Sequence, residues 1–182
     1  YVLDVTKRAD YVGDLVRDQS LTTEFLDVWV DQLRSPPFAL ISVRGSKTPT
    51  DFLVDDSAIL LTGHSRNLIQ SGLRRAVEKY ADAGTVEVVS HSLGTTLVAE
   101  ALSGDHDLYS KIDRLDFMNP ATSPLVASAV SKYTDDPKAN YYECMSDLVG
   151  LGQMIHSAPP KNLVMLGPKL NPLEAHGLEQ WM

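Results

Sequence analysis

Hydrophobic positions along this chain of 182 residues switch repeatedly between helical and strand-like spacing. From Ala9 to Asp18, the residues Tyr11, Val12, Leu15 and Val16 fall on one side of a helix; from Leu21 to Leu33, Phe25, Leu26, Trp29 and Leu33 do the same. Ser20, with Thr23 and Glu24 in the turn after it, reads as the start of the second helix, and Ser35-Pro36-Pro37 as its stop. Phe38 to Val43 is a buried strand, and Asn67 to Tyr80 carries Leu68, Ile69, Leu73, Ala76, Val77 and Tyr80 on one helical stripe. A β-branched run, Val86-Glu87-Val88-Val89, leads through a tight turn into small and apolar residues at helical spacing up to Ala99. Leu115 to Met118 is a short strand closed by Asn119-Pro120, Leu125 to Tyr133 is helical, and Tyr141 to Met145 and Leu163 to Leu166 are further strands. Strands alternating with helices predict an α/β fold: a mainly parallel sheet with helices on both faces. No linker or repeat divides the sequence, so residues 1–182 read as one domain whose N-terminal helices span about 9–33.

The turn after the β-branched run, Ser90-His91-Ser92-Leu93-Gly94, carries the chemistry. A serine at a sharp strand-to-helix junction presents its hydroxyl above the sheet, while the backbone N–H groups after it point at whatever it attacks. The backbones approach closely there, so the positions two before and two after the nucleophile must be small. Gly94 meets that demand, and Ser90 stands where glycine is usual.

An activated serine needs a base, an acid to orient the base, and donors for the oxyanion. In open α/β sheets these come from the carboxyl ends of strands. Asp147 follows the strand from Tyr141 and His176 follows the last strand, which makes the chain order serine, acid, histidine. His156 is the rival base, in an apolar stretch where a core histidine is the bland reading. His91 adjoins the nucleophile and projects away from it, His64 precedes a helix, and His106 lies in a polar loop. Asp113, Asp116, Asp135 and Asp136 compete with Asp147 as acid. The segment Val43-Arg44-Gly45-Ser46 ends a strand in a Gly-Ser turn that aims the Ser46 N–H at the serine, half of an oxyanion hole completed by the Leu93 N–H.

Composition narrows the partners. A net charge of −8 disfavours nucleic acid and anionic lipid, both of which select basic surfaces. No apolar run reaches the length of about 18 residues that a membrane-spanning helix needs, no signal peptide is visible, and the single cysteine, Cys144, has no partner for an internal disulfide. These features predict a soluble protein and leave its compartment open. No metal or cofactor is implied.

In order along the chain, Val43-Arg44-Gly45-Ser46, Thr48 to Asp51-Phe52, Thr62-Gly63-His64, the turn Ser90 to Gly94, Phe117-Met118-Asn119-Pro120, Ser146-Asp147-Leu148-Val149 and His176-Gly177-Leu178 with Trp181 resemble the motifs of the class 3 lipases. The resemblance covers roughly Phe38 to the C-terminus. It implies an α/β-hydrolase fold, a Ser92, Asp147 and His176 triad, and an oxyanion hole from Ser46 and Leu93; the stretch from Ser46 to His64, where the family places an amphipathic lid, is short here, so the lid is expected to be short or absent. It further implies an ester or lipid substrate, with room for a transient contact with a lipid surface. Departures are Ser90 and Met118 in place of glycines and Thr95 and Thr96 in place of smaller residues. A lipase-like domain that keeps the fold as a silent binding scaffold is the alternative from a different class. Transfer of the acyl group to an acceptor other than water is the third reading.

Overall fold

Among the described residues eight strands line up in chain order, β1 (Tyr11–Val12), β2 (Leu15–Arg17), β3 (Leu26–Asp31), β4 (Phe38–Val43), β5 (Thr85–His91), β6 (Arg114–Met118), β7 (Ala139–Cys144) and β8 (Leu163–Leu166). The computed structural model describes residues 10–45, 64–82, 84–120, 130, 132–144 and 161–166. The first four strands pair antiparallel; from β4 to β8 every pairing is parallel. Helix α1 (His64–Tyr80) connects β4 to β5, and α2 (Leu93–Ser103) with the short α3 (His106–Ser110) connects β5 to β6.

The register explains where the core sits. Val28, Ile41, Val88, Leu115 and Ala139 lie side by side across β3 to β7. Side chains alternate between faces along a strand, so Leu26, Val30, Ala39, Val43, Val86, Phe117 and Tyr141 share that face, and all are buried in one apolar cluster. Ile69, Leu73, Ala76 and Val77 of α1, Leu97, Val98 and Leu102 of α2 and Leu108 of α3 complete the cluster. Crossovers between parallel strands are right-handed, and strand order here follows chain order, so successive helices fall on the same face. The helices expected on the second face are not among the described residues. That face carries Asp27, Ser42, Glu87, Asp116 and Asn140, and Asp116 accepts from Asn140 Nδ2 and Arg114 Nε, each at 3.0 Å.

The N-terminal region corrects the sequence reading: Tyr11–Val12, Leu15–Arg17 and Leu26–Asp31 are strands, not parts of helices. Gly13-Asp14 is a two-residue hairpin connection between Val12 and Leu15, and Gly13 takes a φ of 59° that such a turn requires. In β3, Leu26, Val28 and Val30 alternate with Asp27, Trp29 and Asp31, a period of two that the helical spacing of Leu26, Trp29 and Leu33 concealed. Leu33 is 91 % exposed and belongs to no core. Ser20 caps nothing: its N–H and hydroxyl both donate to Asp18 Oδ1, at 3.0 and 2.6 Å, closing a turn. On the second face the Arg17 guanidinium lies 4.7 Å over the Trp29 ring and 3.5 Å from Asp27 Oδ1. The helix expected from Leu125 to Tyr133 falls mainly outside the described residues.

Asp18 ties this hairpin region to α1 by accepting from Lys79 Nζ and from the Tyr80 hydroxyl, both at 2.6 Å. Burial pushes its carboxyl up, but hydrogen bonds from Lys79, Ser20 and Tyr80 outweigh that and hold it well below the usual carboxylate range. A depressed carboxylate contributes stability that is present above its unfolded value, about 3.9, and is lost as pH falls below it. Lys79 is half exposed, which screens its share. Asp18→Asn is therefore expected to lower unfolding free energy by about 1 kcal/mol at pH 7. Urea titrations repeated at falling pH should show the gap to wild type closing below about pH 4.

Candidate active site

At the carboxyl end of β5 the chain turns sharply into α2, and Ser92 sits at the turn with φ 54° and ψ −127°. A non-glycine residue in that region stores roughly 1–3 kcal/mol of strain, which only surrounding contacts can maintain. Ser92 N–H donates to Met118 O at 3.1 Å, and Thr95 N–H donates to Ser92 O at 3.1 Å, so both neighbouring arms hold the turn. Ser92 itself is 4 % exposed.

The end of β4 is pressed onto this turn. A Cβ on Gly94 would stand 2.6 Å from Arg44 O and 2.7 Å from Val43 O, and a Cβ on Gly45 would stand 2.7 Å from Ser92 Cβ and 2.9 Å from His91 O. Both approaches require glycine. They bring the backbone at Gly45 against the serine turn. Leu93 N lies 3.3 Å from the same Gly45 Cβ position. As the first residue of α2 it has no intrahelical acceptor for its N–H, and it sits at the positive end of the helix dipole. Ser46 lies outside the described residues. Gly94→Ala should cost about 1–3 kcal/mol, because the obstruction is backbone rather than a movable side chain. A fall of roughly 2–10 °C in the melting temperature would register it.

The structure places four rival acids and three of the other histidines. Asp113 precedes β6 and accepts from Val86 N–H at 2.8 Å, at the amino end of β5 and away from Ser92. Asp116 is in mid-strand, Asp135 pairs with Lys161 at 3.1 Å, and Asp136 accepts from the Tyr109 hydroxyl and from Lys138 N–H before β7 begins. None is at the carboxyl edge. Asp147, His176 and His156 lie outside the described residues; β7 and β8 run parallel to β5, so their carboxyl ends share the edge where Ser92 stands. His91 is buried in β5 beside Met118, and His106 opens α3 rather than lying in a loop, exposed on its surface. His64 is the first residue of α1.

The sequence reading assigned no place at the site to two residues of this edge. Asn119 follows β6 next to the elbow, fully buried, at φ 40°, with its N–H donated to Tyr142 O at 2.8 Å. The available signal was asparagine's tolerance of left-handed backbone, just before Pro120. Glu143 occupies the next row of β7 and is 5 % exposed. A carboxylate inside a strand of alternating pattern marks it.

A strained serine elbow at the carboxyl edge of a mostly parallel sheet defines the α/β-hydrolase fold, and the chain has that fold. Among solved structures, a predicted CIB-like hydrolase from Thermoplasma acidophilum superposes with a TM-score of 0.50 at 14 % identity, over 92 % of this chain and 94 % of that one. A fungal lipase gives a TM-score of 0.48 at 15 % identity over 80 % of this chain, which spans only 60 % of the lipase chain. A mono- and diacylglycerol lipase from Aspergillus oryzae gives 0.40 at 17 % identity, over 75 % of this chain and 55 % of that one. No protein-family model and no curated protein matches the sequence. Among the described residues no helix is long and apolar enough to cross a membrane.

Proposed function

We propose that the chain is a serine hydrolase of carboxylic esters, similar in chemistry to the class 3 lipases and acting on acyl lipids or short-chain esters. The observation that carries this reading is the Ser92 backbone at φ 54°, with Gly45, two residues past β4, pressed against it. Strain of this kind is retained where a nucleophile must be presented, and a silent scaffold has no use for it.

In the proposed cycle His176 takes the Ser92 hydroxyl proton as Oγ attacks the ester carbonyl. Asp147 holds the imidazole in the right tautomer and stabilises its cation. Negative charge on the carbonyl oxygen is met by the N–H groups of Ser46 and Leu93, each worth about 10²-fold to 10³-fold in rate. The imidazolium returns the proton to the departing alcohol, leaving an acyl ester on Ser92, and water activated by the same histidine releases the acid. For acyl lipids the substrate is met at a lipid surface, a transient contact that the net charge of −8 keeps free of anionic attraction.

Reaction with a fluorophosphonate probe, followed by mass spectrometry of the digested protein, tests the reading. An adduct on the peptide containing Ser92, together with turnover of 4-nitrophenyl esters of graded chain length, supports it. A folded protein that forms no adduct and cleaves no ester overturns it in favour of a binding scaffold.

A further inference from the structure

Two of the departures from the lipase pattern, Ser90 and Thr95, meet each other. Both are fully buried, and Ser90 Oγ donates to Thr95 Oγ1 at 3.3 Å. Ser90 belongs to the most constrained part of the sheet, in register with Val43 on one side and Phe117 on the other. Thr95 lies in the first turn of α2, and its own N–H donates to Ser92 O at 3.1 Å. A single residue of the helix thus grips the strand two positions before the serine and the serine's own carbonyl. With glycine at 90 the strand arm would lose its side-chain tie and gain backbone freedom. With a smaller residue lacking a hydroxyl at 95, Ser90 would keep a buried hydroxyl without this partner.

We propose that the Ser90 and Thr95 hydroxyls form a positioning brace for Ser92: they fix the angle between β5 and α2, and with it the direction in which Oγ points. The inference rests on the ester-hydrolase reading and deepens it. Strain at Ser92 persists only if its surroundings over-determine it, and the brace adds a side-chain tie to the two backbone bonds already holding the turn. Rates respond steeply to such positioning, since a displacement of 1 Å can cost about 10²-fold. A side-chain tie that allows a few tenths of an ångström should govern about tenfold.

The test compares Thr95→Val, which keeps the shape and removes the hydroxyl, with Thr95→Ser, which keeps the hydroxyl and removes the methyl. Ser90→Ala and Ser90→Gly probe the other partner and carry the comparison should Thr95→Val fail to fold. Acylation by the fluorophosphonate probe, kcat and KM for a 4-nitrophenyl ester, and thermal unfolding are measured on each. Expected are acylation rates and kcat about tenfold lower in Thr95→Val and in both Ser90 variants, KM within about twofold, and near wild-type rates in Thr95→Ser. The double variant Ser90→Ala with Thr95→Val should be no slower than the slower single, because the pair acts as one unit. Acylation of Thr95→Val at the wild-type rate, or an equal fall in Thr95→Ser, overturns the brace while leaving the hydrolase reading intact. A wild type that does not react overturns both.

Discussion

Ser92→Ala is expected to abolish covalent labelling and to lower kcat for ester hydrolysis by roughly 10⁴-fold to 10⁶-fold, with the fold retained. The substitution removes one oxygen and keeps Cβ, so the contact between Gly45 and residue 92 is undisturbed. Alanine tolerates the φ of 54° no better than serine does, and the two backbone hydrogen bonds that hold residue 92 do not involve the hydroxyl. Stability should therefore stay within about 1 kcal/mol of wild type. Residual hydrolysis without an acyl-enzyme is the remainder that the proposed oxyanion donors would supply. A variant that still forms the probe adduct would assign the nucleophile to another residue.

Much of this edge was legible because its signals are local. The run of Phe38 to Val43 and that of Leu163 to Leu166 match β4 and β8 residue for residue, since short apolar runs bounded by turn residues admit few alternatives. The elbow was legible for a different reason: a glycine two residues past a serine, after a β-branched run, is demanded by the backbone approach now seen between Gly94 and the carbonyls of Val43 and Arg44. The N-terminal misreading is equally physical. In Phe25 to Leu33 the positions 25, 26, 29 and 33 fit a period of 3.6 only because Trp29 and Leu33 are apolar; Trp29 faces the side of the sheet carrying Arg17, and Leu33 faces solvent. A tryptophan buried on the other face of the sheet and an exposed leucine together imitate a helical stripe, whereas the valines at 28 and 30 were the better witnesses. The pairing of Ser90 with Thr95 was not legible, because each residue alone looked like a departure from small size. Only the packed turn shows that two departures satisfy one another.

With Asp147 as the orienting acid of the proposed triad, Asp147→Asn is expected to lower kcat by about 10⁴-fold with little change in KM, because an amide there would hold the imidazole in the wrong tautomer. The geometry makes the comparison set specific. Asp113 is spent on Val86 N–H, Asp116 on Arg114 and Asn140, and Asp136 on Tyr109 and Lys138, all before the strands reach the edge where Ser92 stands. Asp113→Asn should cost stability and leave kcat per folded molecule within about threefold, since a hydrogen bond to a buried backbone N–H is worth about 1–2 kcal/mol and does no chemistry. Glu143 is the decisive control, being the described carboxylate buried at the carboxyl end of β7, one row past Tyr142. Glu143→Gln should keep kcat within about tenfold if the acid lies four residues further on, a bound set by the proximity of a second carboxylate rather than by a role in proton transfer. The reverse ranking, with Glu143→Gln falling 10⁴-fold and Asp147→Asn nearly unaffected, would move the orienting acid from the loop into the strand itself.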